Sequence, residues 1–170
     1  MYFPLVPRLR KLLGVRAYWD MCQHEFLRPR NEEYITDIYD APGWKEFMGP
    51  PTYPNRRLGF VYCIDSFPVN NEGSKSTAPG GFMNASLPPT ERGKAENMLI
   101  SIVFPTSVKG EHQRKYYNFM ASYELNGLYT QGVDGLKVKI FTTSMDTPGR
   151  AELMGALLYL QTADTICSHV

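Results

Sequence analysis

The sequence predicts a mixed α/β domain, and three observations carry that reading. Short, continuously apolar runs rich in β-branched and aromatic residues occur at 58–64 (LGFVYCI) and 98–104 (MLISIVF), the pattern of buried strands. A further segment, 136–143 (LKVKIFTT), alternates apolar and charged residues as a half-exposed strand does. Between these, residues 111–126 space Tyr116, Tyr117, Phe119, Met120 and Tyr123 at helical intervals. Strands, a crossing helix and a further strand describe an α/β or α+β core.

Taken in chain order, residues 5–27 read as helical. Leu5, Leu9, Leu12 and Leu13 recur at helical spacing, with Arg8, Arg10, Lys11 and Arg16 between them. That cationic face is either the solvated side of an amphipathic helix or a phosphate-contacting patch. From Arg28 to Arg57, prolines, glycines and scattered aromatics predict irregular structure wrapped on the core, with a short helix around Trp44 to Met48. The chain therefore divides into an N-terminal unit, 1–57, that packs on a core, 58–170.

Leu58–Ile64 is the first predicted strand. Residues 70–81 (NNEGSKSTAPGG) read as a loop by composition, and Phe82–Leu87 as a second strand before Pro88-Pro89. Met98–Phe104 is a third, stopped by Pro105. The connections are too short for a crossover helix, so these three should lie side by side and antiparallel. Phe60, Ile100, Val103 and Leu158 are the expected deep core positions. Gly127 is the expected stop of the 111–126 helix. The run Leu153–Leu160 (LMGALLYL) is apolar throughout, and its period does not separate strand from helix.

Composition bounds the function classes. At 170 residues and 43% hydrophobic, the chain suits one domain with a proper core rather than a disordered segment. A formal net charge of +1 supplies no global positive field, so any nucleic-acid contact must come from local basic patches. Cys22, Cys63 and Cys167 lie far apart with no CxxC pair, which argues against a disulfide framework or zinc knuckle and fits a reducing compartment. No apolar run approaches the ~20 residues of a membrane span. A soluble intracellular protein is expected.

Two aspartates share one feature. Asp65 closes LGFVYCI, and Asp164 closes the segment that begins LMGALLYL. A carboxylate at the end of a buried strand is held rigidly at a solvent-filled edge. Two of them on neighbouring strands suit divalent cations and phosphoryl transfer. On the residues alone, an aspartate after a strand is usually a turn former or a helix cap. Other candidates have less pattern behind them. His24, His112 and His169 show no HxxxH spacing, and Gly73, Gly80 and Gly81 form no GxxxxGK[ST] loop. Tyr116-Tyr117 with Arg114 and Lys115 reads either as an aromatic-basic surface or as core.

Five segments, in order, resemble the transposases of CACTA (En/Spm-like) DNA elements. YFPLVPRLRKLLG is similar to the family's YFPLIPRLQRLF stretch. Asp37, Tyr39, Asp40 and Trp44 fall in register with D-x-Y-D-x-x-x-W. LGFVYCIDSFPVN resembles L-G-F-x-x-x-x-D-x-F-N-P-F. LPPTERGKAENMLISIVFP resembles L-P-P-x-x-R-x-K-x-E-N-M-x-L-x-x-I-x-P, and RAELMGALLYLQTADTICSHV resembles R-A-x-L-x-x-x-x-D-x-P-A.

The resemblance implies an RNase H-like mixed sheet with flanking helices, present as the N-terminal part of a catalytic core. It implies cut-and-paste transposition through a DDE-type site, by metal-dependent phosphodiester cleavage and strand transfer. Asp65 and Asp164 would be its first two catalytic, metal-binding carboxylates, with Mg2+ or Mn2+ as cofactor and the third acid beyond Val170. Transposon-end and target DNA, a homo-oligomer of the full-length protein and a nuclear location follow from the same resemblance. The chain departs from the family beside both aspartates, with Ser66-Phe67-Pro68-Val69 after the first and Thr165-Ile166-Cys167 after the second. Those departures support a rival reading: a non-catalytic, domesticated or decayed transposon-derived module that binds DNA or protein.

Overall fold

The computed structural model describes residues 1–29, 33–49, 56–64, 67–68, 76–105 and 123–144. Its helices are α1 (Leu5–Leu13), α2 (Arg16–Met21), α3 (His24–Leu27), α4 (Pro42–Met48), α5 (Pro89–Arg92) and α6 (residues 123–130). Its strands are β1 (Arg57–Ile64), β2 (Phe67–Pro68), β3 (Ser76–Asn84), β4 (Met98–Pro105) and β5 (Lys137–Ser144).

β3 runs antiparallel to β1, and β4 runs antiparallel to β3. β2 prolongs the pairing along the start of β3, through Phe67 opposite Thr77. β5 returns parallel to β1, with Arg57 opposite Lys137 and Cys63 opposite Ser144. The sheet is therefore mixed, and the expected side-by-side arrangement of the first three long strands holds. Residues 1–3 join it at the β4 side, where the Phe3 N–H donates to Ser101 O at 2.7 Å and the Val103 N–H to Met1 O at 2.9 Å.

Helices cover both faces, making an α/β fold. On one face Leu5, Leu9, Tyr18 and Cys22 pack against Phe60, Tyr62, Phe82 and Val138, with Leu128 of α6 in the same cluster. On the other, Tyr39, Trp44, Phe47 and Met48 pack against Val61, Ala85 and Phe141. Alternation along β1 sends Phe60 and Tyr62 to the first face and Val61 and Cys63 to the second. Gly59 belongs to the second face because Trp44 lies directly on it: a Cβ there would sit 2.3 Å from Trp44 Cζ3.

α1 lacks a capping side chain at Pro4. Glu124 of α6 replaces one, accepting from the Leu5 N–H at 2.7 Å and the Val6 N–H at 2.9 Å, and also from the Tyr2 hydroxyl. A carboxylate at a helix N-terminus satisfies donors that would otherwise be orphaned and opposes the helix dipole.

Several sequence expectations need correction. The expected 5–27 helix is broken into α1, α2 and α3, and the turns let Tyr18 and Cys22 reach the same core as Leu5 and Leu9. Ser76 to Gly81, read as loop, is the first half of β3. Pro79 lies past the last β1 partner of that strand, Gly80, and beside a register shift at Gly80/Gly81, where a missing N–H is tolerated. The predicted second strand, Phe82–Leu87, ends at Asn84, and 85–87 turn back so that the Ala85 N–H reaches Gly59 O at 2.8 Å. Gly127 does not stop α6. The stop is Gly132 at φ +78, where a Cβ would meet Leu136 O at 2.6 Å. Tyr123 is 67% exposed rather than core. Phe60 is fully buried, whereas Ile100 and Val103 are half-buried, and Leu158 lies outside the described residues, as do 111–122 and 153–160.

Candidate functional site

The residues that match D-x-Y-D-x-x-x-W and L-P-P-x-x-R form one buried polar cluster. Asp37 opens a 3-10 turn, Ile38–Asp40, with its side chain accepting from the Ile38 N–H at 2.5 Å. The same carboxylate accepts from Arg92 Nη1 at 2.5 Å, and Arg92 Nε donates to Leu87 O at 2.7 Å. The Tyr39 hydroxyl donates to Leu87 O at 2.7 Å, and two guanidinium groups lie over its ring, Arg28 at 5.1 Å and Arg92 at 4.6 Å from the centroid. Asp40 accepts from Arg28, the Thr36 hydroxyl and the Thr36 and Asp37 N–H groups.

That environment fixes the charges. The Arg28 guanidinium, then the Thr36 N–H, hold the Asp40 carboxyl well below the usual carboxylate range. Burial pushes the Tyr39 hydroxyl up to about 12 despite Arg92 beside it. Trp44 Nε1 donates to Glu25 at 2.9 Å, which ties α4 to α3. Asp37, Tyr39 and Arg92 hold the Ile38–Asp40 turn against the segment around Leu87, while Arg28–Asp40 and Trp44–Glu25 link the neighbouring described parts of the N-terminal unit to one another. The motif residues are framework, not reaction chemistry.

Arg8, Arg10 and Arg16 of the predicted cationic face are likewise engaged. Arg8 donates to Pro4 O and Phe3 O, Arg10 pairs with Asp134 at 2.9 Å, and Arg16 pairs with Asp20 at 2.9 Å. Cys22 accepts a contact from Asn84 Nδ2 at 3.3 Å, and burial pushes its thiol up to about 12, so it is no nucleophile. His24 packs its ring 6.2 Å from Tyr39.

Both predicted carboxylates, Asp65 and Asp164, lie outside the described residues. Asp65 is the residue after Ile64, the end of β1. Among the described residues no group of three or more His, Cys, Asp and Glu could hold a metal ion.

At the opposite end of the same strands lies a cleft of about 480 Å³, lined by Glu46, Phe47, Arg57, Tyr129, Thr130, Lys137 and Lys139. Arg57 and Lys137 are paired neighbours, so they share a sheet face, and Lys139 follows two positions on. Arg57 Nη1 donates to Phe47 O. Lys139 Nζ stands 5.4 Å from the Phe47 ring and 5.5 Å from that of Phe141. The Tyr129 ring lies 6.4 Å from Phe47 and remains 47% exposed. Sequence reasoning missed this cleft because its residues come from α4, β1, α6 and β5. The alternating lysines of LKVKIFTT were the one available signal, and they read as an ordinary solvated strand face.

No family model matches the chain, and neither the curated proteins nor the solved structures yield a match. No helix among the described residues is long and apolar enough to cross a membrane.

Proposed function

We propose that this chain carries part of the catalytic core of a DNA transposase, an RNase H-like sheet that acts on phosphodiesters through carboxylates gathered at one edge. One observation carries the reading: β5 lies beside β1 and runs parallel to it. Parallel neighbours end at the same sheet edge, and β1 is followed at once by Asp65. The RNase H-like reading needs two acidic strands of this kind, side by side. The consecutive antiparallel run β1, β3, β4 supports it as well.

The register also offers a partner that resemblance does not. Cys63 and Ser144 are paired; Asp65 follows the first by two positions and Asp146 follows the second by two. Two residues of extended chain reach at most about 7 Å, which keeps each carboxylate near its strand end. Resemblance assigns the second acid to Asp164, whereas the parallel pairing favours Asp146. At such an edge a bound divalent cation would supply charge neutralisation on a phosphodiester and a more acidic attacking water. The protein's own part is to hold two carboxylates rigidly, and their mutual repulsion favours cation uptake.

Manganese titration, followed by loss of the free-ion paramagnetic resonance signal, tests the reading on the full chain. Weak binding should appear and vanish in Asp65→Asn. Loss in Asp146→Asn names the register partner, and loss in Asp164→Asn names the resemblance partner. Binding unchanged in Asp65→Asn would overturn the proposal and leave a non-catalytic transposon-derived module.

A further inference from the structure

We infer that the cleft between α4, α6 and the starts of β1 and β5 binds single-stranded nucleic acid, taking one nucleotide with its phosphate on the lysines and its base against Tyr129. The inference does not rest on the carboxylate reading, since the cleft lies at the opposite end of β1 and β5 and uses none of those residues.

Charge comes first. Among the described residues of the lining, Arg57, Lys137 and Lys139 outnumber the one carboxylate, Glu46, which makes a local cationic site on a chain of formal net charge +1. Neither lysine forms an ion pair among the described residues. Lys139 instead stands over two aromatic rings, Phe47 and Phe141. That contact fixes its ammonium group in place while leaving its hydrogen-bond donors for an anion. Lys137 is exposed at the strand start beside Arg57.

Shape selects among anions. A space of about 480 Å³ exceeds what a lone phosphate needs and falls within the range of small-molecule sites. Its lining includes the half-exposed Tyr129 ring, whose centroid lies 6.4 Å from that of the buried Phe47 ring at a tilt of 33°. A half-exposed aromatic ring in a cationic cleft suits stacking, and every base has a face to offer it. Cations for the backbone with one ring for a base are the elements of sequence-tolerant single-strand binding. A duplex hides its base faces, so it would meet only the lysines.

The test is fluorescence anisotropy of a labelled 12-nucleotide single strand, with the full chain, in EDTA. Omitting divalent cations makes the result independent of whether the carboxylate edge binds metal. Tyr129→Leu should weaken binding about tenfold, while Tyr129→Phe, which keeps the stacking face, should not. Lys137→Gln and Lys139→Gln should each lower the slope of log affinity against log salt by roughly 0.7, the single-strand value for one lost phosphate contact. Unchanged circular dichroism melting shows that each variant folds; Lys137→Gln at the exposed position reads the phosphate contact should Lys139→Gln unfold. Three results would overturn the proposal: no binding of the strand, equal affinity of the matching duplex, or equal loss in the Leu and Phe variants of Tyr129. A mononucleotide that competes at the strand's own affinity would assign the cleft to a free nucleotide instead.

Discussion

The two faces of the sheet are built on different chemistry. The α1–α2 face is closed by leucines and aromatics, with Asn84 as its main polar member, donating to the Tyr18 hydroxyl at 3.1 Å and accepting from the Ser86 N–H at 3.0 Å. The α4 face closes over aromatics too, but its outer layer is a ring of buried charges: Arg28 with Asp40 and Arg92 with Asp37. Apolar packing is non-directional and tolerates repacking of similar volume. A buried ion pair is attractive only while both partners stay, and removing one leaves an uncompensated charge. One face therefore answers to volume, and the other to partner and pH.

The largest expected effect is at Asp40. Asp40→Ala leaves Arg28 buried opposite no carboxylate, and chemical denaturation at neutral pH should show a loss of about 3–5 kcal/mol. The folded-state pKa of Asp40 lies below its unfolded value of about 3.9. Its stabilisation is therefore complete above that pH and fades as pH falls towards the folded pKa. The deficit of the variant should narrow below about pH 4. A gap that stays constant down to pH 2 would remove Asp40 as the ionised partner.

Leu9→Ala should come next, at about 2–5 kcal/mol for a fully buried leucine. Losing methyl groups from an apolar cluster involves no proton, so its deficit should be the same at pH 3 and pH 7. A pH-dependent deficit would erase the distinction between the faces. The smallest effect is expected for Asp20→Ala. The Arg16–Asp20 pair is exposed on both sides, and its removal should change stability by less than about 0.5 kcal/mol.

The pairing of the long strands was legible because each depends on local signals: an apolar run, a short connection, a terminal proline. The direction of β5 relative to β1 was not, since LKVKIFTT specifies a half-exposed strand without naming its neighbour. Ser76–Gly81 misled because glycine and proline usually mark loops. Here Gly80 admits the Tyr62 hydroxyl, which would lie 2.6 Å from a Cβ. The end of α6 was misassigned for a related reason. Gly127 has open space around its Cβ position and needs no special conformation, whereas Val133-Asp134-Gly135-Leu136 is a tight turn with both central residues at positive φ. The matched D-x-Y-D and L-P-P-x-x-R motifs were visible as letters, but only three-dimensional adjacency makes them one ion-pair cluster. Of the proposed carboxylate edge, only Asp65 after the first strand was legible, because the strand that runs parallel to β1 was not.

Glu124 has a bearing on the order of events during synthesis. It caps α1 across 119 positions of sequence at Leu5 and 118 at Val6. A ribosome emits the N-terminal turn long before residue 124 leaves the exit tunnel. Until then the first N–H groups of α1 face water alone, and a nine-residue helix is too short to persist unaided. Docking of α1 is thus deferred until α6 is available, and the β1–β3 hairpin, whose partners are close in sequence, is free to form first.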